Sequence, residues 1–436
     1  MRRFLTAGQN LKNMYIIPIV IFAVTFYFII SGRIQRTIAS LSGAIVMVVA
    51  GTLLGFYSQE EAFHSIDFDM IGLLAGMMVI VAVSKKSGIF SYVAIKAAKA
   101  SGGSHVRLVI MMGCATAFLS MWLDNVTTIV LVIPITILIC DILGISPLPT
   151  LMSEIVLSNI GGVGTMIGDP PNMMIATASG FTFNDFLVNL FPIAIVAMLI
   201  GIVTLIFVFR GEMGKKPKDF RPILAIDPRR AIRDSVGLKR SIFSLGIVFV
   251  LFALQEKIGF NHAFIALIGA GAVLILVRPD LDEIIKDVKW SVLIFFASLF
   301  VLIGGLEKTG ILTVAAEHIV TLAKINFSLA KISLLWVSAI FASLVDRIPY
   351  TTAMIQIIKD VGALGVDIQS LWWVLALGVG FGGNGTPIGS LVGVVGLSMS
   401  EKTQSPIDFK IWLKTATLVM ITTIIFASVL ILLKVI

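Results

Sequence analysis

Two polar clusters interrupt long apolar stretches of this 436-residue chain. The first lies within residues 105–140 and the second within residues 327–358, and each combines one carboxylate with amide, guanidinium or hydroxyl groups. Their members are Asp124, Asn125, Thr127 and Thr128 in the first, and Asp346, Arg347, Thr351 and Thr352 in the second. Ionisable groups at membrane depth cost on the order of several kcal/mol unless they are paired or hydrated. These clusters therefore predict ion or substrate binding, with helix capping as the structural alternative.

Each cluster has a glycine-rich partner stretch. Residues 159–172 read Asn-Ile-Gly-Gly-Val-Gly-Thr-Met-Ile-Gly-Asp-Pro-Pro-Asn, and residues 382–389 read Gly-Gly-Asn-Gly-Thr-Pro-Ile-Gly. Glycine and proline at this density break a helix, and a broken helix offers carbonyls to a cation and amide ends to an anion. The stretches hold Gly385 and the side chains predicted to bind ion or substrate, which are Asn159, Thr165, Asp169, Asn172, Asn384 and Thr386. For Asp169, capping of the next half-helix is an equally good explanation.

The elements that must position these clusters occur twice. The tetrapeptide Lys-Ser-Gly-Ile at 86–89 returns as Lys-Thr-Gly-Ile at 308–311, which is 222 positions later, and Asp124 returns as Asp346 at the same spacing. The glycine-rich stretch at 161–168 returns at 382–389, and Asp-Phe at 185–186 returns at 408–409. Two copies of a glycine-broken apolar unit are typical of secondary transporters, whose substrate site lies between the copies.

Composition places the chain in a membrane. Hydrophobic residues make up 58%, charged residues only 13%, and the mean hydropathy is +1.02, which excludes a soluble globular protein of this length. The net charge of +8 is concentrated in one loop between apolar runs, which favours a topological signal over nucleic-acid binding. Cys114 and Cys140 lie in apolar stretches and indicate neither a disulfide framework nor a metal site.

We predict an all-α polytopic membrane protein made of two inverted repeats, 14–210 and 236–432. Each repeat has five crossings, and because five is odd, the second copy must be inverted. A helix, a polar break and a second helix, at 105–140 and 327–358, predict one re-entrant hairpin per repeat. Broken helices are predicted at 151–178 and 371–397. The remaining crossings are predicted at 14–32, 37–57, 69–84, 185–210, 241–256, 260–278, 291–306 and 409–432.

The distribution of lysine and arginine predicts the orientation. Basic residues gather at Arg33, Arg36, Lys85, Lys86 and throughout the 211–240 loop, so positive-inside places that loop in the cytoplasm and both termini outside. Residues 211–235 form a basic, proline-containing linker between the repeats. The basic residues at positions 2, 3 and 12 favour the opposite orientation, with the N-terminus in the cytoplasm. The first apolar run is long and lacks a small-residue cleavage site, so we expect a retained helix and not a signal peptide.

The sequence resembles the arsenite permease and melanosomal P-protein family. The resemblance rests on residues 159–172, on residues 382–389 and on Val-Asp-Arg-Ile-Pro at 345–349, and it covers nearly the whole chain. The family belongs to a superfamily that includes divalent-anion/sodium symporters and sodium/proton antiporters. The resemblance implies a homodimer in the cell inner membrane, with a scaffold and a transport part that moves like an elevator. It also implies ion binding, with sodium as the candidate metal, at Asp124, Asn125, Gly161 and Gly164, and on the other side at the second hairpin tip with Gly382, Asn384 and Thr386.

Two positions depart from the family pattern. The family usually has asparagine after the aspartate of the second hairpin tip, where this chain has Arg347, and it tends to carry an asparagine a few positions after Gly389, where this chain reads Ser-Leu-Val-Gly. Our hypothesis is that Arg347 permanently supplies the positive charge that a second bound cation provides elsewhere. The alternatives are that Arg347 pairs with its neighbour Asp346 or extends to water.

The sequence therefore predicts a secondary transporter and not an enzyme. The favoured substrate is a small anion or metalloid such as arsenite or antimonite, coupled to protons or sodium. A cation-coupled di- or tricarboxylate transporter and a sodium/proton antiporter are the alternatives, and a channel is harder to exclude. No His-Glu-x-x-His or phosphate-loop motif is present. No cofactor beyond the coupling ion is expected. A soluble ATPase could dock on the long loop, although nothing in the sequence requires it.

In the expected mechanism, Asp124 and the break at 159–165 hold the coupling cation or proton. Asn384, Thr386 and the tip at 346–352 face the substrate. Glu154 is a weaker candidate for a proton carrier, with an interfacial position as the alternative.

Overall fold

The computed structural model describes residues 2–31, 33–214, 220–232, 234–401 and 403–436, with side chains from residue 16 onward. Its regular elements are all helices; these described residues contain no strand. Residues 215–219 and 233 of the predicted linker lie outside the described residues, as do the side chains of the bases at 2, 3 and 12. The prediction of an all-helical membrane protein is confirmed.

The first half of the chain forms eleven helices. They are α1 (Arg2–Ser31), α2 (Arg36–Leu54), α3 (Gln59–His64), α4 (Phe68–Lys86), α5 (Ile89–Ala100), α6 (His105–Trp122), α7 (Asn125–Leu143), α8 (Leu148–Val163), α9 (Pro170–Ser179), α10 (Phe183–Asn189) and α11 (Phe191–Met213). The linker contributes α12 (Arg221–Ala225) and a short 3-10 turn, Pro228–Ala231.

The second half repeats the same order. Its helices are α13 (Ser235–Ala253), α14 (Gln255–Ile258), α15 (His262–Val277), α16 (Leu281–Asp287), α17 (Trp290–Glu307), α18 (Ile311–Ile325), α19 (Phe327–Leu344), α20 (Arg347–Ala363), α21 (Gln369–Gly382), α22 (Leu391–Ser400), α23 (Phe409–Lys414) and α24 (Ala416–Leu432). Apart from the short α14, each has a counterpart: α13 corresponds to α1, α15 to α2, and α16–α24 to α3–α11 in order.

Nine segments among the described residues are long and apolar enough to cross a membrane. They are α2, α4, α6, α7, α11, α13, α17, α19 and the continuous stretch Phe409–Leu432. The apolar part of α1 (Ile16–Ser31), α15, α21 and α22 are shorter. The two predicted hairpin segments hold α6 with α7 and α19 with α20, and the two predicted broken helices hold α8 with α9 and α21 with α22.

The helices pack into two bodies. The first, which we call the frame, contains α1, α2, α4, α13, α15 and α17, where α2 packs on α17 and α4 packs on α15. The second, the hairpin body, contains α6–α9, α11, α19–α22 and α24. These two pairs each join one helix from each half, and exchanging the halves converts one pair into the other. This relation is the one expected for a two-fold repeat, and the inversion of the second copy stays a prediction.

Helices α5 and α18 connect the two bodies. The sequence did not predict them as separate elements because, at 12 and 15 residues, they are too short to span a membrane. Gly88 and Gly310 each adopt a left-handed backbone with φ of 84° and 68°, which turns the chain from α4 into α5 and from α17 into α18. This geometry explains why the tetrapeptide at 86–89 returns at 308–311.

Candidate functional site

The two hairpin tips have the same structure. Leu123 and Val345 are extended, and each is followed by an aspartate at the first turn of the next helix. Asp124 accepts a hydrogen bond from the backbone amide of Thr127 at 2.9 Å, and Asp346 accepts one from the amide of Ile348 at 3.1 Å. Both aspartates therefore cap a helix, as the structural alternative proposed, while each keeps oxygen atoms for other partners.

A threonine ties each helix break to the nearer hairpin tip. The Thr165 hydroxyl donates to the carbonyl of Met121 and accepts from the amide of Gly168 at 3.1 Å. Thr386 makes the equivalent bond to the carbonyl of Ser343. In this structure, the two hydroxyls predicted to contact substrate instead bond to backbone groups of the break and of the hairpin. They therefore fix the distance between the break and the hairpin tip.

The two broken helices meet through their asparagines. The Asn159 side-chain amide donates to Asn384 Oδ1 at 2.8 Å, and Asn159 Oδ1 accepts from the Ser390 hydroxyl at 3.0 Å. Asn384 in turn donates to the carbonyl of Val156 at 3.3 Å, and its own carbonyl accepts from the Trp412 indole at 3.0 Å. All four side chains are buried, so this network joins the two halves at the centre of the hairpin body.

Asn172 closes the first break. Its amide nitrogen lies 3.3, 3.0 and 2.8 Å from the carbonyl oxygens of Gly162, Val163 and Thr165, which the break leaves without helical partners. The equivalent residue in the second half is Gly393, the position at which the family asparagine is missing. A side chain there would collide with the carbonyl of Pro387, since a Cβ would lie 2.6 Å from it.

Arg347 pairs with Asp169 and not with its neighbour Asp346. Arg347 Nη1 lies 2.5 Å from Asp169 Oδ2, and both side chains are at least nine-tenths buried. Asp169 begins α9 in the first half and Arg347 begins α20 in the second, so the pair joins a helix break to the opposite hairpin tip. The alternative that Arg347 pairs with Asp346 is therefore wrong in this structure, whereas its predicted role as a permanent positive charge stays a prediction.

Polar atoms beside this pair have unused hydrogen-bonding capacity. Within the described residues, Asp169 Oδ1 and both polar side-chain atoms of Asn125 are buried and make no hydrogen bond. Asn125 lies over Gly162 and Arg347 lies over Gly383, where Cβ atoms would approach them to 2.7 and 3.3 Å. Asn125 and Arg347 occupy equivalent positions in the repeat. Asp169 Oδ1 and the Asn125 side chain are therefore buried polar atoms that lack a hydrogen-bond partner among the described residues.

The aspartates of both hairpin tips pair with cations of the frame. Lys289 Nζ lies 2.5 Å from Asp124 Oδ2 and 3.1 Å from the Thr127 hydroxyl. Arg36 forms an ion pair with Asp346. Each of the three central carboxylates is thus matched by one cation, so the site is electrically balanced as it stands.

Four other predicted site residues serve local structure. The hydroxyls of Thr351 and Thr352 donate to helix carbonyls four residues earlier, at 2.7 and 3.0 Å. Gly385 packs against Ser343, and Gly164 lies where a Cβ would be 3.3 Å from Ala194. Their roles toward an ion or substrate stay predictions.

Glu154 is fully buried in α8. Its Oε1 accepts a hydrogen bond from the Thr136 hydroxyl of α7, and its Oε2 makes no hydrogen bond within the described part of the chain. Whether it lies at membrane depth or at the membrane–water interface stays a prediction, as does its role as a proton carrier. No carboxylate is equivalent in the second half, where Leu375 occupies the matching position.

A cavity of about 230 Å³ lies between frame and hairpin body beside the Asp124–Lys289 pair. Its walls are mostly apolar, including Met77, Trp122 and Val395. Its polar side chains are the ion pair, Thr127, Lys85 and Asp287. The described residues include no group of three or more His, Cys, Asp or Glu side chains able to hold a metal. Sodium binding, whose predicted ligands include backbone groups, stays a prediction.

Sequence reasoning found the three aspartates but missed two of their partners. Lys289 and Arg36 lie at the starts of apolar helices, where a cation is normally a topological signal. When the two copies are aligned, Lys289 is equivalent to Asp67. This reversal of charge between equivalent positions was the one sequence signal that pointed to Lys289. Their contacts depend on packing between halves, which the sequence does not show.

Relatives of this chain include membrane transporters. The 46 kDa membrane protein of Mycobacterium leprae is 38% identical over 403 residues, covering 91% of this chain and 93% of the relative. An uncharacterised transporter of Mycobacterium tuberculosis is 36% identical over 402 residues, with the same coverage. Human P protein is 29% identical over 474 residues; the match covers 90% of this chain and 57% of that longer protein. The P-protein part of the resemblance is thus confirmed, whereas the arsenite-permease part stays a prediction.

Solved structures share the fold. The YdaH transporter of Alcanivorax borkumensis matches with a TM-score of 0.58 at 17% identity, covering 85% of both chains. MtrF of Neisseria gonorrhoeae, described among antimetabolite efflux pumps, matches with a TM-score of 0.60 at 14% identity, covering 89% of this chain and 83% of that one. The sequence profile of the CitMHS family, described as citrate transporter, matches residues 26–378. The chain therefore belongs to the CitMHS citrate transporter family.

Proposed function

We propose that this protein is a secondary transporter that moves a small carboxylate together with a coupling cation. The observation that carries the proposal is the buried Arg347–Asp169 pair with unused hydrogen-bonding atoms beside it. A guanidinium binds a carboxylate through two parallel hydrogen bonds, so Arg347 has the chemistry to hold such a substrate. The family's description as a citrate transporter favours a di- or tricarboxylate over the small inorganic anion or metalloid favoured by the sequence.

Charge balance couples the substrate to a cation. The three carboxylates and three cations of the site already cancel, so an anion that enters alone leaves an uncompensated charge in a buried site. Protonation of Asp169, or a cation bound beside it, releases Arg347 to the substrate carboxylate. The loaded site is then closer to neutrality, which lowers the cost of carrying it through the membrane.

The arrangement of the two bodies supports an elevator-like movement. The proposed substrate site lies in the hairpin body, and the frame contacts it through ion pairs and apolar surfaces that can separate without unfolding a helix. As the family resemblance implies, the frame would form the interface of a homodimer. The basic loop would face the cytoplasm, with both termini outside.

A sodium/proton antiporter is the second candidate. It is favoured by the fact that all three central carboxylates are held by cations, which protons or sodium can replace without any organic solute. Arsenite transport stays an untested prediction and belongs in the substrate panel.

Uptake into proteoliposomes tests the proposal. Imposed proton or sodium gradients are combined with labelled citrate, succinate, arsenite or no solute, and counterflow separates a carrier from a channel. We expect gradient-driven accumulation of a carboxylate by the unmodified protein. Ion exchange without any solute would establish the antiporter, and movement of arsenite alone would restore the sequence-based prediction.

Two variants test the roles of the pair. Asp169→Asn imitates the protonated carboxyl, so we expect carboxylate exchange to persist while accumulation driven by the gradient is lost. Arg347→Gln combined with Asp169→Asn removes both charges of the pair and leaves neither without its partner. We expect substrate affinity to fall about 10- to 100-fold, as for loss of hydrogen bonds to a charged group. Unchanged affinity in this double variant would exclude Arg347 as the substrate ligand.

A further inference from the structure

Both hairpin tips are held to one end of the frame. Lys289 immediately precedes α17, and Arg36 is the first residue of α2. The ends of these helices touch, because the Thr37 hydroxyl donates to the carbonyl of Ser291 at 3.0 Å. Two cations from neighbouring helix ends therefore bind the two tip aspartates of the other body, and we call this pair of contacts the frame lock.

The opposite end of the frame is built from the equivalent helices but has acidic side chains in the first turn of α4 and just before it, Asp69 and Asp67. There the first turns of α4 and α15 meet, where the backbone amide of Ala263 donates to Asp69 at 3.1 Å and His262 lies 3.3 Å from the same carboxylate. Asp67 occupies the position equivalent to Lys289 and accepts from the Thr177 hydroxyl at 2.9 Å. An aspartate thus stands where the frame lock has its lysine.

The cavities between the bodies show the same reversal. A second cavity of about 240 Å³ is lined by residues equivalent to those of the first, such as Phe300 for Met78 and Ile303 for Val81. Two equivalent positions carry opposite charges in the two cavities. Lys85 and Lys289 of the first cavity correspond to Glu307 and Asp67 of the second. The repeat therefore offers two similar sites with different charge.

We propose that Lys289 and Arg36 are built-in counter-ions that hold the unloaded hairpin body at their end of the frame. In the unloaded protein they neutralise Asp124 and Asp346, and in the loaded protein coupling cations would take their place there, in addition to the proton or cation at Asp169. A coupling cation must displace them before the body can move. At the end that carries Asp67, the tip aspartates would face an acidic position, so the body is stable there only with cations bound.

This inference rests on the proposed function but makes its own predictions. A cation that competes with Lys289 and Arg36 gains apparent affinity when they are removed. For Lys289→Gln combined with Arg36→Gln, we expect the concentration of sodium or protons that gives half-maximal transport to fall about fivefold or more, within the usual range of coupling between sites. Lys289→Arg keeps the charge and should behave like the unmodified protein.

The position of the body can be measured without transport. In protein whose Cys114 and Cys140 are replaced by serine, a single cysteine at Val395→Cys reports on the first cavity. We expect its labelling by a water-soluble maleimide to slow when sodium is added or the pH is lowered. Removal of both lock cations should slow it already in the absence of the coupling ion.

Lys86→Gln is the matched control. Lys86 forms an ion pair with Glu283 at the same end of the frame, and neither residue contacts the hairpin tips. The control should leave labelling and ion dependence unchanged. Size-exclusion chromatography shows whether the double variant is folded. If the folded double variant is labelled like the unmodified protein and keeps its ion dependence, the frame lock does not hold the hairpin body. If no gradient moves any solute in the unmodified protein, the proposed function fails while the labelling result still stands.

Discussion

At the scale of single residues, the centre of the protein is a set of charges shared between the halves. Asp124 and Lys289 belong to different halves, as do Arg36 and Asp346, and Asp169 and Arg347. A buried charge that loses its partner is costly, so the buried Asp169–Arg347 pair in particular constrains where the other half can lie. The same dependence makes the pairs suitable switches, because an ion that replaces one partner changes the preferred arrangement.

Asn172 supports a testable structural role. Substitution Asn172→Ala removes the donor shared by three buried carbonyls of the first break, so we expect the free energy of unfolding to fall by about 1–3 kcal/mol. Thermal unfolding of the purified protein in detergent measures this as a lower midpoint. Asn189→Ala is the control, since Asn189 is exposed and makes one bond to its own helix. Equal midpoints for the two variants would contradict the role given to Asn172.

At the scale of helices, close crossings fix the breaks relative to the hairpins. In the first half, α8 approaches α6 at Gly161, where a Cβ would lie 2.5 Å from the carbonyl of Ala117. In the second half, α21 approaches α19 at Gly382, where the distance to the carbonyl of Ala339 would be 2.6 Å. The two glycines implied by the resemblance to bind ions thus also allow two helix backbones to touch.

Alanine substitution tests these crossings. Gly161→Ala or Gly382→Ala places a methyl group against a backbone carbonyl of the neighbouring helix. We therefore expect a loss of about 1–3 kcal/mol in the free energy of unfolding. Gly246 and Gly271 lie within α13 and α15 with open space around them. Their alanine variants should be unchanged or slightly more stable, since alanine favours helix over glycine. Denaturation midpoints that do not separate the two sets would refute the packing role.

At the scale of the whole molecule, two bodies meet across apolar cavities and a few ion pairs. The frame pairs α2 with α17 and α4 with α15, whereas the hairpin body holds the proposed substrate site. The elevator-like movement proposed above would take place along this boundary.

The orientation in the membrane is tested by labelling from each side. Arg229 in the linker and Glu60 in α3 are both exposed, so Arg229→Cys and Glu60→Cys can be labelled in the cysteine-free background. We expect an impermeant maleimide to label Glu60→Cys on intact cells and Arg229→Cys only after the membrane is opened. The reverse pattern would place the basic loop outside.

The sequence by itself determined the membrane class, the duplication and the residues of the two polar clusters. These follow from composition and from residue order, because apolar run length, glycine breaks and repeated motifs are local properties. The positions of Asp124 at a hairpin tip and of Asp169 before a half-helix could also be predicted from the sequence, because both depend on neighbouring residues.

Only the tertiary structure decided which charges meet. Asp169 and Arg347 lie 178 positions apart, and Asp346 and Arg36 lie 310 apart, so no local pattern links them. Their contacts arise because the two halves pack into each other and bring a break from one beside a hairpin tip of the other. The same packing turned Thr165 and Thr386 toward backbone carbonyls and brought Lys289 and Arg36 from helix ends to the tip aspartates.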